Sequence, residues 1–212
     1  MGDPGRLIAF EGVEGAGKST QLELLRRALE GRWGGPPEGR SREVVVTREP
    51  GGTPAGERIR ALLLDPQLEL QPRAEALLFA AARAELVENL IRPALERGAV
   101  VLCDRYLDSS LAYQGGARGL GIDEVERINR FATGGLVPDL TFLLEIDPAT
   151  AAARTGERDR FEDEGFRLQQ AVQEAYERVV ASDPGRWRRI DAARSPEQVH
   201  AEVLAELQGV RA

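Results

Sequence analysis

Residues 10–19 read Phe10-Glu11-Gly12-Val13-Glu14-Gly15-Ala16-Gly17-Lys18-Ser19, and from Gly12 onward they match the pattern G-x-x-x-x-G-K-[ST] in full. The apolar run at residues 7–10 predicts a strand before the pattern, and leucines at helical spacing follow it. Glycines let consecutive backbone N–H groups face inward around a phosphate, and the next helix adds the positive end of its dipole. Lys18 can reach the β- and γ-phosphates, and Ser19 can ligate Mg²⁺. The pattern therefore predicts a P-loop for a nucleoside triphosphate with Mg²⁺.

Short apolar runs alternate with amphipathic runs along the rest of the chain. The runs that predict strands are residues 7–10, 44–46, 99–103, 140–146 and 187–190. Helical spacing of apolar residues predicts helices at residues 19–30, 55–64, 72–97, 123–133, 166–180 and 196–207. This alternation is typical of an α/β fold, and strands this apolar suit a parallel sheet that helices cover on both faces. We expect a single domain over residues 1–212.

Composition narrows the class of protein. The 212 residues carry a net charge of −7 with a pI near 5.0, whereas a general nucleic-acid binder is usually basic. No apolar run is long enough for a membrane span, and no secretory signal is visible at the start. Cys103 is the only cysteine, which is consistent with a reducing compartment. We expect a cytoplasmic protein that binds neither nucleic acid nor membranes.

A second group of residues belongs with the P-loop. The third predicted strand ends in Asp104-Arg105, and a carboxylate at that end of a strand beside a P-loop is placed to hold Mg²⁺, usually through water. The alternative role for Asp104 is a strand-end cap or an ion pair with Arg105. The sequence has neither the N-K-x-D nor the D-x-x-G motif of a GTPase, and protein kinases use a different glycine loop.

Phe79 and Arg83 lie four residues apart in a predicted helix and so share one face of it. An aromatic ring beside a forked donor can stack on a base and hydrogen-bond to its edge. Periodicity alone, however, favours a core phenylalanine and a solvated arginine. The segment 104–115 then leaves a strand end and enters a helix whose hydroxyl and amide side chains can bind a polar ring.

Over nearly its whole length the chain resembles the thymidylate kinase family, whose members transfer the γ-phosphate of ATP to dTMP. The segments that carry the resemblance are the P-loop with Phe10-Glu11, Thr47-Arg48-Glu49-Pro50-Gly51-Gly52, Leu78-Phe79-Ala80-Ala81-Ala82-Arg83, residues 104–115, Asp159-Arg160-Phe161-Glu162 and Asp191-Ala192. Each short segment is weak alone, but together, in this order, they are specific. The resemblance implies the P-loop NTPase fold of nucleoside-monophosphate kinases, with a five-stranded parallel sheet, helices on both faces and a lid.

The resemblance also implies a role for each matching residue. Phe79 stacks on thymine and Arg83 donates to the edge of the base. Residues implied to line the base and sugar pocket are Ser110, Tyr113 and Gln114, and those implied to bind the acceptor phosphate are Arg60 and Arg105. Glu11 faces the sugar 3′-hydroxyl, and Glu49-Pro50 matches a site where a cis peptide is common. Residues implied to bind ATP are Gly12, Val13, Glu14, Gly15, Ala16, Gly17, Lys18, Ser19, Thr20 and Asp191.

Residues 154–165 are expected to form the lid, because the segment is dense in charge and poor in apolar side chains. The variable positions of the P-loop contain no arginine, so a cation for the migrating phosphate must come from elsewhere. The resemblance, to bacterial enzymes with a basic lid, favours Arg158 first, then Arg154 and Arg160. The acceptor oxygen is already anionic, so no general base is needed. His200 is expected to be exposed and to play no part.

Two alternatives remain open from the sequence. One is a kinase for another nucleoside monophosphate or a deoxynucleoside, since only the resemblance favours thymine. The other is an ATPase that switches partners, although its switch motifs are absent. A panel of monophosphate acceptors separates the first, and ATPase activity without an acceptor identifies the second. The resemblance further implies a homodimer.

Overall fold

The computed structural model describes residues 4–32, 42–154 and 165–209. Its sheet has five parallel strands in the order β2-β3-β1-β4-β5. The strands are β1 (Arg6–Glu11), β2 (Val44–Arg48), β3 (Val100–Asp104), β4 (Leu140–Glu145) and β5 (Trp187–Asp191). The predicted α/β fold with a five-stranded parallel sheet is confirmed.

Helices connect the strands. They are α1 (Lys18–Arg32), α2 (Pro54–Leu64), α3 (Pro72–Leu86), α4 (Arg92–Glu96), α5 (Leu107–Ser110), α6 (Ile122–Thr133), α7 (Pro148–Ala152), α8 (Gly165–Ser182) and α9 (Pro196–Gly209). Two π-helical segments, Val87–Ile91 and Leu111–Ala117, continue α3 and α5, and a 3₁₀ turn spans Pro184–Arg186.

Two apolar cores lie on opposite faces of the sheet because side chains alternate along each strand. Leu7 and Ala9 of β1 pack in one core, with Tyr106, Tyr176 and other side chains from the helices after β2, β3 and β4. Ile8 and Phe10 point into the other core, against α1 and α9. All four side chains are at most 1% exposed. Both faces of the central strand β1 are therefore packed, and the P-loop that follows it begins from a well-packed strand.

The order of the strands determines where a ligand can bind. The strands β2 and β3 lie on one side of the central strand β1, and β4 and β5, which come later in the chain, lie on the other side. Ligands of open α/β sheets bind at the carboxyl ends of the strands where the order reverses in this way. The carboxyl ends of β1, β3 and β4 meet there, and these strands end at Glu11, Asp104 and Glu145.

Some details differ from the sequence predictions. The strand β2 is at the edge of the sheet and only partly covered, with Val46 43% exposed, because no strand of the described residues pairs with its far side. The single helix predicted at 72–97 contains a π turn, since Pro93 has no N–H for the regular helical pattern. Helix α7 was not predicted. His200 is half-buried, so the prediction that it is exposed is wrong.

Within the described ranges, no helix combines the length and the apolar character needed to cross a bilayer. The predicted lid residues Arg158 and Arg160 lie outside the described residues.

Candidate active site

The P-loop turns back on itself at two glycines that no other residue replaces easily. Gly12 has φ 132° and Gly15 has φ 75°, values that L side chains rarely adopt. A Cβ on Gly12 would lie 2.5 Å from the carbonyl oxygen of Leu144, and one on Gly15 would lie 2.2 Å from that of Ala151. The loop is therefore seated against β4 and α7, and it leads directly into α1.

Lys18 is held inside the P-loop by the main chain. Its side-chain nitrogen donates to the carbonyl oxygens of Val13 at 2.9 Å and Gly12 at 3.3 Å, and the residue is 8% exposed. Burial, and then the charge of nearby Arg105, lower the pKa of this ammonium group to about 8, and Asp104 and Glu11 oppose the shift. Lys18 is also the only lysine in the sequence.

Ser19 and Asp104 bring two oxygen ligands together. The Ser19 hydroxyl donates to Oδ2 of Asp104 at 2.7 Å, and Asp104 lies opposite Phe10 in the pairing of β3 with β1. A hydroxyl and a carboxylate are hard oxygen donors, and Mg²⁺ takes one or two of these plus phosphates and water. The residues present fit Mg²⁺ bound with a triphosphate. No cluster of three or more acidic, histidine or cysteine side chains occurs among the described residues, which an independent metal site would need.

Arg105 follows Asp104 in the left-handed region, with φ 66°. Its backbone N–H donates to the carbonyl of Phe10 at 2.9 Å, which ties the bend to β1. The guanidinium donates to the Ser109 hydroxyl at 3.1 Å and lies over the Tyr113 ring at 5.3 Å. Such a backbone is costly for arginine, and the cost is tolerated where the side chain must point in one direction.

Two cavities meet beside this arginine. The larger has a volume of about 640 Å³ and is lined by P-loop residues, Asp104 and residues of the segments around Arg154 and Arg194. The smaller, of about 80 Å³, is lined by Phe79, Ser110, Gln114 and their neighbours. The residues that line both cavities are Glu14, Glu49, Arg60 and Arg105. Two cationic side chains thus stand where the two cavities join.

The smaller cavity contains most of the residues predicted for the acceptor. Its lining includes Pro50, Phe79, Ser110, Tyr113 and Gln114. Phe79 is partly buried, and it packs against the apolar core as well as lining this cavity. A lining that combines an aromatic ring with hydroxyl and amide groups suits a planar polar ring.

Arg83 lies outside the cavity lining, 1% exposed, which excludes the alternative of a solvated arginine. Its Nε donates to Glu49 at 2.7 Å, and its other nitrogens donate to the Ser110 hydroxyl, the Tyr106 carbonyl and the Asn129 side chain. Burial raises the pKa of Glu49, and the value stays at about 7 because Arg83 opposes the rise. A direct contact of Arg83 with a base edge stays a prediction, and in this structure Arg83 holds Glu49 and Ser110, which line the cavity.

Glu11 is completely buried and is a hub of hydrogen bonds. It accepts from the backbone N–H groups of Tyr106 and Ser109, the Ser109 hydroxyl at 2.6 Å and the Tyr176 hydroxyl at 2.8 Å. Burial and the charge of Asp108 raise its pKa, while Arg105 and these hydrogen bonds lower it. The predicted contact with a sugar hydroxyl is untested. Glu11 connects β1, α5 and α8 beneath the site.

Part of the larger cavity is lined by residues that follow β5, together with Gln21 of α1. The residues after β5 are Ala192, Arg194, Pro196 and Val199. Asp191 itself is exposed and accepts from the N–H of Ala193 at 3.0 Å, so its predicted role beside adenine stays a prediction. Arg154 reaches this cavity and donates to the carbonyl of Ala192 at 3.0 Å.

Comparison with known proteins agrees with this geometry. A family model described as thymidylate kinase matches residues 10–203. The chain belongs to the thymidylate kinase family. A thymidylate kinase of Deinococcus radiodurans is 46% identical over 204 residues, with 95% of each chain covered. That of Pelotomaculum thermopropionicum is 49% identical over 211 residues, covering 97% of this chain and 94% of its own. The crystal structure of the Ehrlichia chaffeensis thymidylate kinase is 31% identical with a TM-score of 0.77, covering 96% of this chain and 99% of that one.

The sequence did not predict every residue at the candidate active site. Ser109 and Tyr176 contact Glu11, and Gln21, Arg194 and Val199 line the larger cavity. Gln21 directly follows Thr20, and Arg194 lies three residues after Asp191. Both Thr20 and Asp191 were predicted to bind ATP, so nearness in sequence to these residues was a usable signal. Tyr176 contacts Glu11 across 165 positions, and nothing in its local sequence indicates this.

Proposed function

We propose that this chain transfers the γ-phosphate of ATP to dTMP, giving ADP and dTDP. The observation that carries the proposal is the junction of the two cavities, where Arg60 and Arg105 line both. The larger cavity includes the P-loop and suits a triphosphate. The smaller, with Phe79 on its wall, suits a pyrimidine, so its phosphate would point toward the junction. Family membership supports ATP as donor and dTMP as acceptor.

The reaction requires positioning and neutralisation of charge. The attacking oxygen of dTMP is anionic at neutral pH, so no base has to remove a proton. The P-loop amides and Lys18 hold the donor phosphates, and Arg60 and Arg105 draw the acceptor phosphate into line. The local cations explain how a chain with a net charge of −7 accommodates two anions. Arg154 is the described residue of the predicted lid that lines the donor cavity, and we propose that it contacts the donor nucleotide.

The activity is tested by transfer of label from [γ-³²P]ATP. The proposal predicts labelled dTDP from dTMP, in amounts equal to the ADP formed. A second monophosphate accepted better than dTMP would indicate a kinase for another base. ADP formed at the same rate without any acceptor would contradict the proposal and indicate an ATPase.

Mg²⁺ belongs to the same proposal. Ser19 and Asp104 would hold the ion together with the triphosphate, and the ion would supply positive charge that offsets the negative charge developing during transfer. The 2.7 Å contact between their oxygens supports this pairing because both groups face one point.

Asp104→Asn tests the metal ligand. The amide keeps the shape but loses the charge, so we expect kcat to fall about 100-fold at fixed Mg²⁺ and to recover in part as Mg²⁺ is raised. Mn²⁺ binding in the presence of ADP, followed by electron paramagnetic resonance, is the second measurement. An unchanged metal affinity would assign Asp104 to capping of the strand instead.

Lys18 gives a direct readout of its own titration, because it is the only lysine in the sequence. Reductive methylation with ¹³C-formaldehyde labels this side chain and the N-terminal amine alone, and their resonances separate on titration. We expect a pKa near 8 without ligand, and a higher value with ATP because phosphates favour the charged form. ATP affinity should therefore fall as the pH rises above about 8. A pKa that ATP leaves unchanged would place the ammonium group away from the phosphates.

We also propose that the chain is a homodimer. Large apolar side chains are exposed on neighbouring helices, with Leu62 on α2 48% exposed, Leu77 on α3 58% exposed and Phe131 on α6 92% exposed. Light scattering would give twice the 23.1 kDa of one chain if the proposal holds, and a single-chain mass would contradict it. The cytoplasmic location expected from the sequence stays a prediction.

A further inference from the structure

Behind the smaller cavity, a buried relay connects Gln114 to two residues that the reaction does not use. The side-chain nitrogen of Gln114 donates to Oε1 of Glu75 at 2.9 Å. Arg118 donates to the same carboxylate, with its Nε 3.1 Å from Oε1 and its terminal nitrogen 3.1 Å from Oε2. Glu75, in the first turn of α3, is fully buried, and Gln114 is 1% exposed.

The chemistry of these three side chains fixes the direction of each hydrogen bond. A guanidinium carries donors only, so both Glu75 oxygens that face Arg118 must accept. Oε1 of Glu75 is shared between Arg118 and Gln114 and therefore accepts from Gln114 as well. Gln114 must turn its NH₂ group toward Glu75. With the nitrogen directed toward Glu75, the carbonyl oxygen lies on the other side of the amide carbon, so it is the acceptor that Gln114 can offer to the cavity that it lines.

We infer that Glu75 and Arg118 are positioning residues that make Gln114 present an acceptor to the base of the monophosphate, and so select bases that carry a proton at N3. The inference rests on the proposed function and adds to it. Thymine and uracil have an N3–H that donates to a carbonyl oxygen, whereas cytosine has a bare N3 that accepts. A fixed acceptor therefore rejects cytosine, because two lone pairs would face each other. It does not distinguish thymine from uracil, which differ by a methyl group.

Glu75→Gln is the test, because the new amide can either accept from or donate to Gln114 and so removes the fixed direction. We expect the ratio of kcat/KM for dCMP to that for dTMP to rise about tenfold, since a flipped Gln114 can donate to the bare N3. The ratio for dUMP to dTMP should stay within twofold. KM for dTMP should rise more than kcat falls, because the relay touches the base and not the phosphates.

Asp108→Asn is the matched control. Asp108 is fully buried and forms a bidentate pair with Arg186, and neither residue lines the smaller cavity. The same carboxylate-to-amide change there should leave both ratios unchanged. If Glu75→Gln does not fold, Glu75→Met with Arg118→Met keeps the volume and removes both charges of the pair. This double variant should raise the dCMP ratio as well.

The outcomes separate the inference from the function. A wild-type enzyme that phosphorylates no pyrimidine monophosphate contradicts the proposed function itself. A wild-type preference for dTMP, combined with equal losses for dTMP, dUMP and dCMP in the Glu75 variants, overturns the inference and leaves the function intact. A rise in the dCMP ratio in the Asp108→Asn control as well would also overturn it, because the effect would then be a general loosening.

Discussion

Lys18→Ala is expected to lower kcat for dTMP phosphorylation about 1,000-fold, the scale on which single transition-state contacts to transferred phosphates contribute. The ammonium group lies within the P-loop, where its nitrogen contacts the carbonyl oxygens of Gly12 and Val13. No other lysine exists in the chain to replace it. Steady-state kinetics with saturating ATP and dTMP measures the effect.

Lys18→Met is the matched variant, because it keeps the length of the apolar stem and removes only the charge. We expect it to be as inactive as the alanine variant. Its thermal stability should equal or exceed that of the wild type, since burial of the ammonium is unfavourable in the folded state, as its lowered pKa indicates. A kcat within tenfold of the wild type in either variant would contradict the role of Lys18.

Arg83→Ala is expected to lower the free energy of unfolding strongly. The variant leaves the Glu49 carboxylate buried without its cation, where the two side chains are 1% and 3% exposed in the wild type. Removing one partner of a buried pair costs about 3–5 kcal/mol. For a chain of this size the expected fall in Tm is about 6–20 °C, measured by calorimetry near pH 8.

The loss from Arg83→Ala should depend on pH, and the sign follows from Glu49. The pKa of Glu49 in the folded state, about 7, lies above its ordinary value of 4.5. Between these two pH values Glu49 is protonated in the folded state and ionised in the unfolded state. Its effect on the free energy of unfolding therefore becomes more unfavourable as the pH rises from 4.5 to about 7. Without Arg83 the pKa rises further. The loss should therefore be smaller near pH 5 than near pH 8, and the part that remains near pH 5 reflects the other hydrogen bonds of Arg83, to Ser110, Tyr106 and Asn129. Glu49→Gln in the same background should remove the pH-dependent part of the loss, and an equal loss at both pH values would contradict the account.

The sequence predicted the donor half of the site well because its signals are local. Ten consecutive residues define the P-loop and the strand before it, and Asp104 is recognisable from the apolar strand that it ends. The position of β2 at the edge was not predictable, since the number of neighbours of a strand depends on the whole topology. The π turn before Pro93 was also missed, although the proline without an N–H is a local signal for it.

The acceptor half was only partly predictable. Phe79 and Gln114 were identified through resemblance, but the burial of Arg83 was not, because helical spacing reports a shared face and not what covers it. The relay from Gln114 to Glu75 spans 39 positions, and Tyr176 reaches Glu11 across 165. Such contacts arise when the folded sheet brings distant elements together, and single-sequence patterns contain no record of them.

The most direct test of the two-cavity arrangement is a crystal structure with dTMP and a non-hydrolysable ATP analogue bound together. The account predicts the thymine ring against Phe79, the triphosphate in the P-loop, and the two reacting phosphates facing each other beside Arg60 and Arg105. A pyrimidine bound away from Phe79, or a dTMP phosphate directed away from these arginines, would contradict it.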